Sequence, residues 1–195
     1  SSRVYRIMPK GIKPIKRPNL RSLSDLELVE MQKHSNDWYV RHARVILHHR
    51  SIIGKLDAPK VHAKLEEMLK QAKTQAKRLR ALWALHVTGG LKAKSGARLI
   101  ELLSHSDEYV RAWSIQFLCE DKKPSSKALN KFNDMAKSEK SPVVRLYLAA
   151  ALQRLPFEQR WSILEALAAH EEDVEDHNIP RMLWLALEPM VTENQ

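Results

Sequence analysis

The chain has 195 residues, of which 44% are hydrophobic and 29% charged, a composition typical of a globular protein. Its formal net charge of +10 permits nucleic acid, an anionic membrane surface or an acidic protein as partner. The single cysteine, Cys119, excludes an internal disulfide and any zinc or haem site built from several cysteines. No stretch contains the roughly 20 consecutive apolar residues that a membrane-spanning helix needs.

Residues 1–22 are predicted to form an extended basic arm. They contain seven Lys or Arg residues and no Asp or Glu. The run RVYRI (3–7) is the one candidate strand. By contrast, Arg181 is the only Lys or Arg from Ile163 onward. The basic arm and the acidic C-terminal region suit interaction, although solvated linker and surface are the simpler interpretation. The chain also starts without Met, so we expect a segment of a longer protein.

Residues 23–195 are predicted to be helical, because long stretches rich in Ala, Leu, Lys, Glu and Arg contain almost no glycine. Ser24 and Glu27 match a capping box and mark the first helix start. The first helices of five hairpins are predicted near 24–34, 59–73, 95–104, 125–138 and 157–170. The second helices begin near the capping residues Asn36, Thr74, Ser106, Ser141 and Asn178.

A short motif recurs at the start of each second helix. The clearest copies are NDWYVRHAR (36–44), SDEYVRAWS (106–114) and KSPVVRLYL (140–148). Five arginines mark the copies at intervals of 39, 31, 34 and 36 residues, and we call them the arginine row: Arg41, Arg80, Arg111, Arg145 and Arg181. A period in the thirties is typical of helical solenoids. The sequence therefore predicts an all-α solenoid of about five helical hairpins.

The arginine row has two interpretations. Asp37 precedes Arg41 by four residues and Asp107 precedes Arg111 by four, a spacing that places each pair on one helical face. An arginine repeated in every unit can also bridge to the next unit's acid or loop carbonyls. We predict a repeat ladder or interaction row, and a ligand-binding row is the alternative.

Three tryptophans, Trp83, Trp113 and Trp184, follow row arginines at equal or similar distances and are predicted to fill the core.

No catalytic set is recognisable in the sequence. His42, His48 and His49 share one helix but have no acid at metal-ligand spacing. The acidic loop 171–176 lacks the glycine turn of a calcium site. VTGGL (87–91) lacks the Lys-Ser/Thr of a phosphate-binding loop. We therefore expect no catalytic residue, metal or cofactor in this chain.

The pattern Asp-x-x-Val-Arg before an apolar helix resembles HEAT repeats over most of the chain. Longer strings, NDWYVRHAR, RALWALHVTGGL, YVRAWSIQFLCED, ALQRLPFEQRW and LWLALEPMV, resemble the helical region of the bacterial PVC-type haem-binding, membrane-bound dehydrogenase-like multidomain proteins. In that family the region follows a β-propeller, whose last strand SSRVYRIM (1–8) resembles, and precedes a cytochrome c-like domain. The resemblance implies a non-catalytic scaffold within an exported redox protein. It also implies that haem is held only in a downstream domain and that flanking domains of the same chain are the partners.

Nucleic-acid binding is the second hypothesis. Some HEAT-like solenoids, including DNA glycosylases, bind DNA along a basic concave face. Here Arg44, Lys73, Lys77 and Arg78 could line such a groove. A glycosylase would also need a carboxylate beside aromatic side chains, and Asp107 does not share a helical face with Trp113. An interaction scaffold is therefore the leading interpretation.

Overall fold

The structure is a computed structural model that describes residues 10–11, 18–92 and 96–192. Within these ranges the chain is all-helical, with ten α-helices, short 3-10 helices and no β-strand. The prediction of an all-α chain is therefore confirmed. The candidate strand at 3–7 and most of the basic arm lie outside the described residues. The domain boundary between residues 22 and 23 stays a prediction.

The α-helices are numbered in chain order. The first five are α1 (Asp25–Glu30), α2 (Asp37–Ile52), α3 (Ala58–Gln71), α4 (Gln75–Val87) and α5 (Ala97–Leu102). The other five are α6 (Glu108–Leu118), α7 (Ser126–Ser138), α8 (Pro142–Leu152), α9 (Trp161–Ala168) and α10 (Ile179–Thr192). A 3-10 helix extends α1 over Met31–Lys33, and another precedes α9 over Phe157–Gln159.

The helices pack as consecutive pairs whose second members form a row. Each odd-numbered helix contacts the even-numbered helix that follows it. Along the even row, α2 contacts α4, α4 contacts α6, α6 contacts α8 and α8 contacts α10. On the other side, α1 contacts α3, α5 contacts α7 and α7 contacts α9. Side chains at the starts of neighbouring even-numbered helices are thereby brought close together.

The hydrophobic core lies between the two sets of helices. The even row contributes the fully buried Leu47, Leu82 and Ile115, and the odd-numbered helices contribute Leu65 and Phe132 among others. Burying one such side chain contributes roughly 1.5–3 kcal/mol to folding. The core thus fixes the positions of the even-numbered helices, which carry the arginine row.

Polar caps set where the even-numbered helices begin. The side-chain oxygens of Asn36, Thr74 and Ser141 accept hydrogen bonds from first-turn N–H groups of α2, α4 and α8, as predicted. For α6 the predicted cap, Ser106, is wrong. Asp107 has the extended backbone of a cap residue, and its carboxylate accepts a first-turn N–H at 3.0 Å.

The prediction that three tryptophans fill the core is wrong for one of them. Trp83 and Trp113 are half-buried and pack against the core, but Trp184 is 58% exposed. Trp184 lies on α10, the last helix that the structure describes, and this helix packs on α8 and α9. Pro189 lies within α10, which continues to Thr192, so the helix does not end at this proline.

Candidate functional site

Arg111 joins its own hairpin to the next one. Its Nε and Nη2 donate to the two carboxylate oxygens of Glu139, at 2.9 and 2.7 Å, and Nη1 donates to the carbonyl of His105 at 2.9 Å. Glu139 lies between α7 and α8. Burial acts to raise the pKa of Glu139, but hydrogen bonds from Arg111 and the Ser141 N–H outweigh it and lower the pKa. Bidentate Arg–carboxylate pairs of this kind are strong and directional.

Arg145 makes the same set of contacts one hairpin further along. Its Nε and Nη2 each lie 2.5 Å from a carboxylate oxygen of Asp173, and Nη1 donates to the carbonyl of Glu139 at 2.8 Å. Both side chains are buried, with exposed fractions of 3% and 6%. Asp173 belongs to the acidic loop between α9 and α10, so one acid of that loop is a buried structural partner.

On α4 the equivalent arginine is Arg78, not the row member Arg80. Arg78 donates to the carboxylate of Asp107 and, at 3.0 Å, to the carbonyl of Ala72. Arg80 instead contacts the preceding hairpin, donating to Asp37 at 3.0 Å and to the carbonyl of His34 at 3.0 Å. Positions two apart differ by about 200° around a helix, so the two arginines point to opposite neighbours.

The remaining row arginines are exposed. Arg41 donates to Asp37 at 2.7 Å, and that hydrogen bond is the main cause that lowers the pKa of Asp37. Arg181 makes no hydrogen bond or ion pair with any residue in the described ranges. Asp107 pairs with Arg78, whereas Arg111 pairs with Glu139, so the two do not form the expected pair.

A groove of about 770 Å³ opens between α2, α4 and α6. Cationic side chains come from α2 and α4, and aromatic rings, which we call the aromatic wall, come from α4 and α6. The groove is defined by eight of its lining residues: Asp37, Arg41, Arg44, Arg80, Trp83, His86, Trp113 and Phe117. It is therefore a site where a planar or apolar group and a negative charge could be held together.

Arg44 is the unusual member of the groove. Its Nη1 is buried without a hydrogen-bond partner, and no ion pair joins it to another described residue. Its guanidinium carbon lies 5.2 Å from the centre of the Trp83 ring. Burial is the main cause that lowers the pKa of Arg44; nearby Asp37 raises it, while Arg41 and Arg80 lower it further. A half-buried positive charge thus stands here without a carboxylate of its own.

The aromatic wall is continuous from α4 to α6. Trp83 and Trp113 meet edge to face with centroids 5.2 Å apart, and Trp113 lies 5.4 Å from Phe117. His86 stacks on Phe117 at 3.7 Å. The indole N–H of Trp83 is buried and has no hydrogen-bond acceptor, an arrangement that costs about 1–3 kcal/mol. Two buried, unsatisfied donors thus belong to neighbouring side chains that line the groove.

Two side chains that could act as a nucleophile or a base outside the groove, Cys119 and His170, are held by burial or by hydrogen bonds. Burial raises the pKa of the Cys119 thiol to about 12, which leaves it protonated and poorly nucleophilic at neutral pH. His170 contacts Glu172 at 2.9 Å and the carbonyl of Ala136 at 2.8 Å. Among the described residues, no group of three His, Cys, Asp or Glu side chains could hold a metal ion.

Sequence reasoning missed the central features of this groove. From the sequence, Arg44 was only one of several basic residues that could line a nucleic-acid groove. Trp83 was predicted only to fill the core. Glu139 and Asp173 were not identified as partners, although each follows a row arginine by 28 residues. That fixed offset is a usable sequence signal for the bridges. The missing partners of Arg44 and Trp83 depend on tertiary packing.

Comparisons with protein-family models, curated proteins and solved structures each find no significant match to this chain. No helix in residues 18–92 or 96–192 has both the length and the apolar character needed to cross a bilayer.

Proposed function

We propose that this chain is a non-catalytic interaction module, an α-solenoid of about five HEAT-like hairpins that docks other folded domains. The observation that supports the proposal is the recurrent bridge from one hairpin to the next. Arg78, Arg111 and Arg145 each bind a carbonyl six residues earlier and an acid 28 or 29 residues later. Such ties favour a stiff, extended surface, which is what a docking module offers.

The partners that we propose are flanking domains of the same parent chain. This part of the proposal is based on the strings that resemble PVC-type haem-binding proteins, in which a helical region connects a propeller to a cytochrome c-like domain. The parent would be an exported redox protein, with its haem held outside this chain. Of the arginine row, Arg80, Arg111 and Arg145 would serve mainly to order the repeats, as would the acids Asp37 and Asp107, whereas Arg41 and Arg181 make no bridge to another hairpin within the described residues.

Nucleic-acid binding is the less favoured function. A duplex-binding face needs several free cations along the phosphate backbone. Arg78, Arg111 and Arg145 are already paired with acids of the chain itself. Their charges are therefore not available as a continuous basic stripe.

The decisive experiment is a binding assay with the segments that the parent reading frame encodes on either side of this chain. Each segment is expressed separately and titrated into this chain by isothermal calorimetry at physiological salt. We expect saturable binding of at least one segment, and no binding of a 20-base-pair duplex. Duplex binding that falls steeply with salt, together with no binding of either segment, would replace the docking function with the nucleic-acid function.

A further inference from the structure

The groove between α2, α4 and α6 carries an uncompensated positive charge. Three guanidiniums, those of Arg41, Arg44 and Arg80, line it together with one carboxylate, Asp37. That carboxylate is already shared, since it accepts from Arg41 at 2.7 Å and from Arg80 at 3.0 Å. Arg44 has no carboxylate within ion-pair distance in the described chain. An anionic group in the groove would therefore meet net attraction without displacing an existing pair.

The aromatic rings of the groove favour a ligand that carries an aromatic group beside its negative charge. Trp83, Trp113 and Phe117 present ring faces and edges beside the cations, and a volume of about 770 Å³ accommodates one aromatic side chain with its neighbours. Aromatic pairs in offset or edge-to-face geometry add about 0.5–1.5 kcal/mol beyond the area they bury. The unpaired indole N–H of Trp83 is buried, so it could donate to an oxygen of the same ligand only if a side chain moves.

The arrangement of charge favours a peptide over a nucleic acid. Single-stranded nucleic acids are held in grooves whose positive charge follows the backbone over several nucleotides. Here the bridging arginines of α6 and α8, Arg111 and Arg145, are paired with Glu139 and Asp173, so they do not extend the charge of Arg41, Arg44 and Arg80 along the even-numbered helices. A localised cationic cluster beside aromatic rings matches a carboxylate that is one or two residues from an aromatic side chain.

We propose that this groove binds an acidic peptide segment of a partner protein, with a carboxylate on Arg44 and Arg41 and an aromatic side chain against Trp83 and Trp113. The inference rests on the proposed function as an interaction module and names the chemistry of one partner. The carboxylate would provide the hydrogen-bond acceptor that Arg44 lacks. The aromatic ring would fill the space that the groove leaves open to solvent.

The test uses fluorescence anisotropy with a fluorescein-labelled peptide, Gly-Glu-Glu-Phe-Glu-Gly. Two further peptides replace the phenylalanine with alanine or all glutamates with lysine. The variant is Arg44→Gln, which removes a charge that makes no hydrogen bond with any residue that the structure describes. The matched control is Arg181→Gln, because Arg181 is equally cationic, exposed and far along the chain.

We expect the Glu/Phe peptide to bind and both altered peptides to bind at least about tenfold more weakly. Arg44→Gln should weaken binding of the Glu/Phe peptide by about tenfold or more, while Arg181→Gln should leave the Kd unchanged. Trp83→Phe, which removes the indole N–H and keeps a ring, should give an intermediate loss.

Two results would overturn the inference. One is equal binding of the Glu/Phe peptide to Arg44→Gln and Arg181→Gln, or no binding at all. The other is tighter binding of a single-stranded oligonucleotide of equal charge that Arg44→Gln abolishes, which would make the groove a nucleic-acid site. If the peptide fails while a flanking segment still binds in the calorimetric assay, the docking function stands and only the assignment of this groove fails.

Discussion

At the scale of single residues, the Arg145–Asp173 pair is the most deeply buried ion pair among the described residues. Removing one member of such a pair leaves the other charged and buried, which typically costs 3–5 kcal/mol. We therefore expect Asp173→Ala to lower the free energy of unfolding by about 3–5 kcal/mol, as measured by urea denaturation followed by circular dichroism. The Arg145→Met/Asp173→Leu double variant should recover most of this loss, because it removes both charges together.

The exposed pair formed by Arg41 and Asp37 is the control for that prediction. Its members have exposed side-chain fractions of 73% and 48%, so water screens the interaction. Arg41→Ala should leave the urea midpoint almost unchanged. A loss as large as that of Asp173→Ala would show that burial does not determine the strength of these pairs.

Arg44 should behave in the opposite way to the bridging arginines. It is half-buried and makes no hydrogen bond in the described chain, so the folded state gains little from its charge beyond the contact with Trp83. Cation–π contacts contribute about 0.5–1 kcal/mol at exposed sites, and removing the desolvated charge offsets that loss. We expect Arg44→Met to change the free energy of unfolding by less than about 1 kcal/mol in the same urea experiment. A loss comparable to that of Asp173→Ala would indicate a structural role for Arg44.

At the scale of helices, Asp107 has two separable roles at the start of α6. Its carboxylate accepts the N–H of Tyr109 at 3.0 Å as the helix cap, and it also pairs with Arg78 of the preceding hairpin. Asp107→Asn keeps an oxygen for the cap but removes the charge, whereas Asp107→Ala removes both. We expect the alanine variant to be less stable than the asparagine variant by about 1 kcal/mol, the usual contribution of a cap, in thermal and urea unfolding. Equal stabilities would mean that the cap contributes little beside the ion pair.

The sequence predicted which segments form helices, but it did not predict how each helix is rotated about its axis in the packed structure. The apolar pattern and the caps Asn36, Thr74 and Ser141 predicted the even-numbered helices, because these are local properties. Two arginines on α4 satisfied the sequence repeat almost equally well, and only the rotation of the helix shows that Arg78 is the bridging one. The sequence also could not show that Trp184 is exposed, because its burial depends on which helices pack against α10.

The candidate groove was less predictable than the fold for a related reason. Its defining property is a missing partner for Arg44, and a missing partner can be recognised only once every nearby acid has been placed. Asp37 lies seven residues before Arg44, about two helical turns, yet it is shared by Arg41 and Arg80. Sequence spacing pairs Asp37 with Arg41, but it cannot show that Arg80 shares this acid or that Arg44 is left without one.

At the scale of the whole molecule, stability should depend on pH through two half-buried histidines, His105 in the connection between α5 and α6 and His86 near the end of α4. Burial is the main cause that lowers the pKa of His105 below 6.5; Arg78, Arg111 and Arg98 lower it further, and Asp107 opposes them. The Nδ1 atom of His105 also lies 3.0 Å from the N–H of Asp107, so the neutral ring accepts this hydrogen bond. Burial likewise lowers the pKa of His86, although Glu120 opposes that shift.

The sign of the effect follows from these directions. A histidine whose pKa is lower in the folded state binds more protons when unfolded, so the free energy of unfolding rises with pH. This contribution is fully present above about pH 6.5 and is lost as the pH falls through the lower, folded-state pKa. His105→Asn keeps an acceptor for the Asp107 N–H but cannot be protonated. We expect it to flatten the rise in unfolding free energy between about pH 5 and 7, measured by urea denaturation at several pH values, relative to the unmodified chain. The same slope in His105→Asn as in the unmodified chain would mean that another group carries the pH dependence.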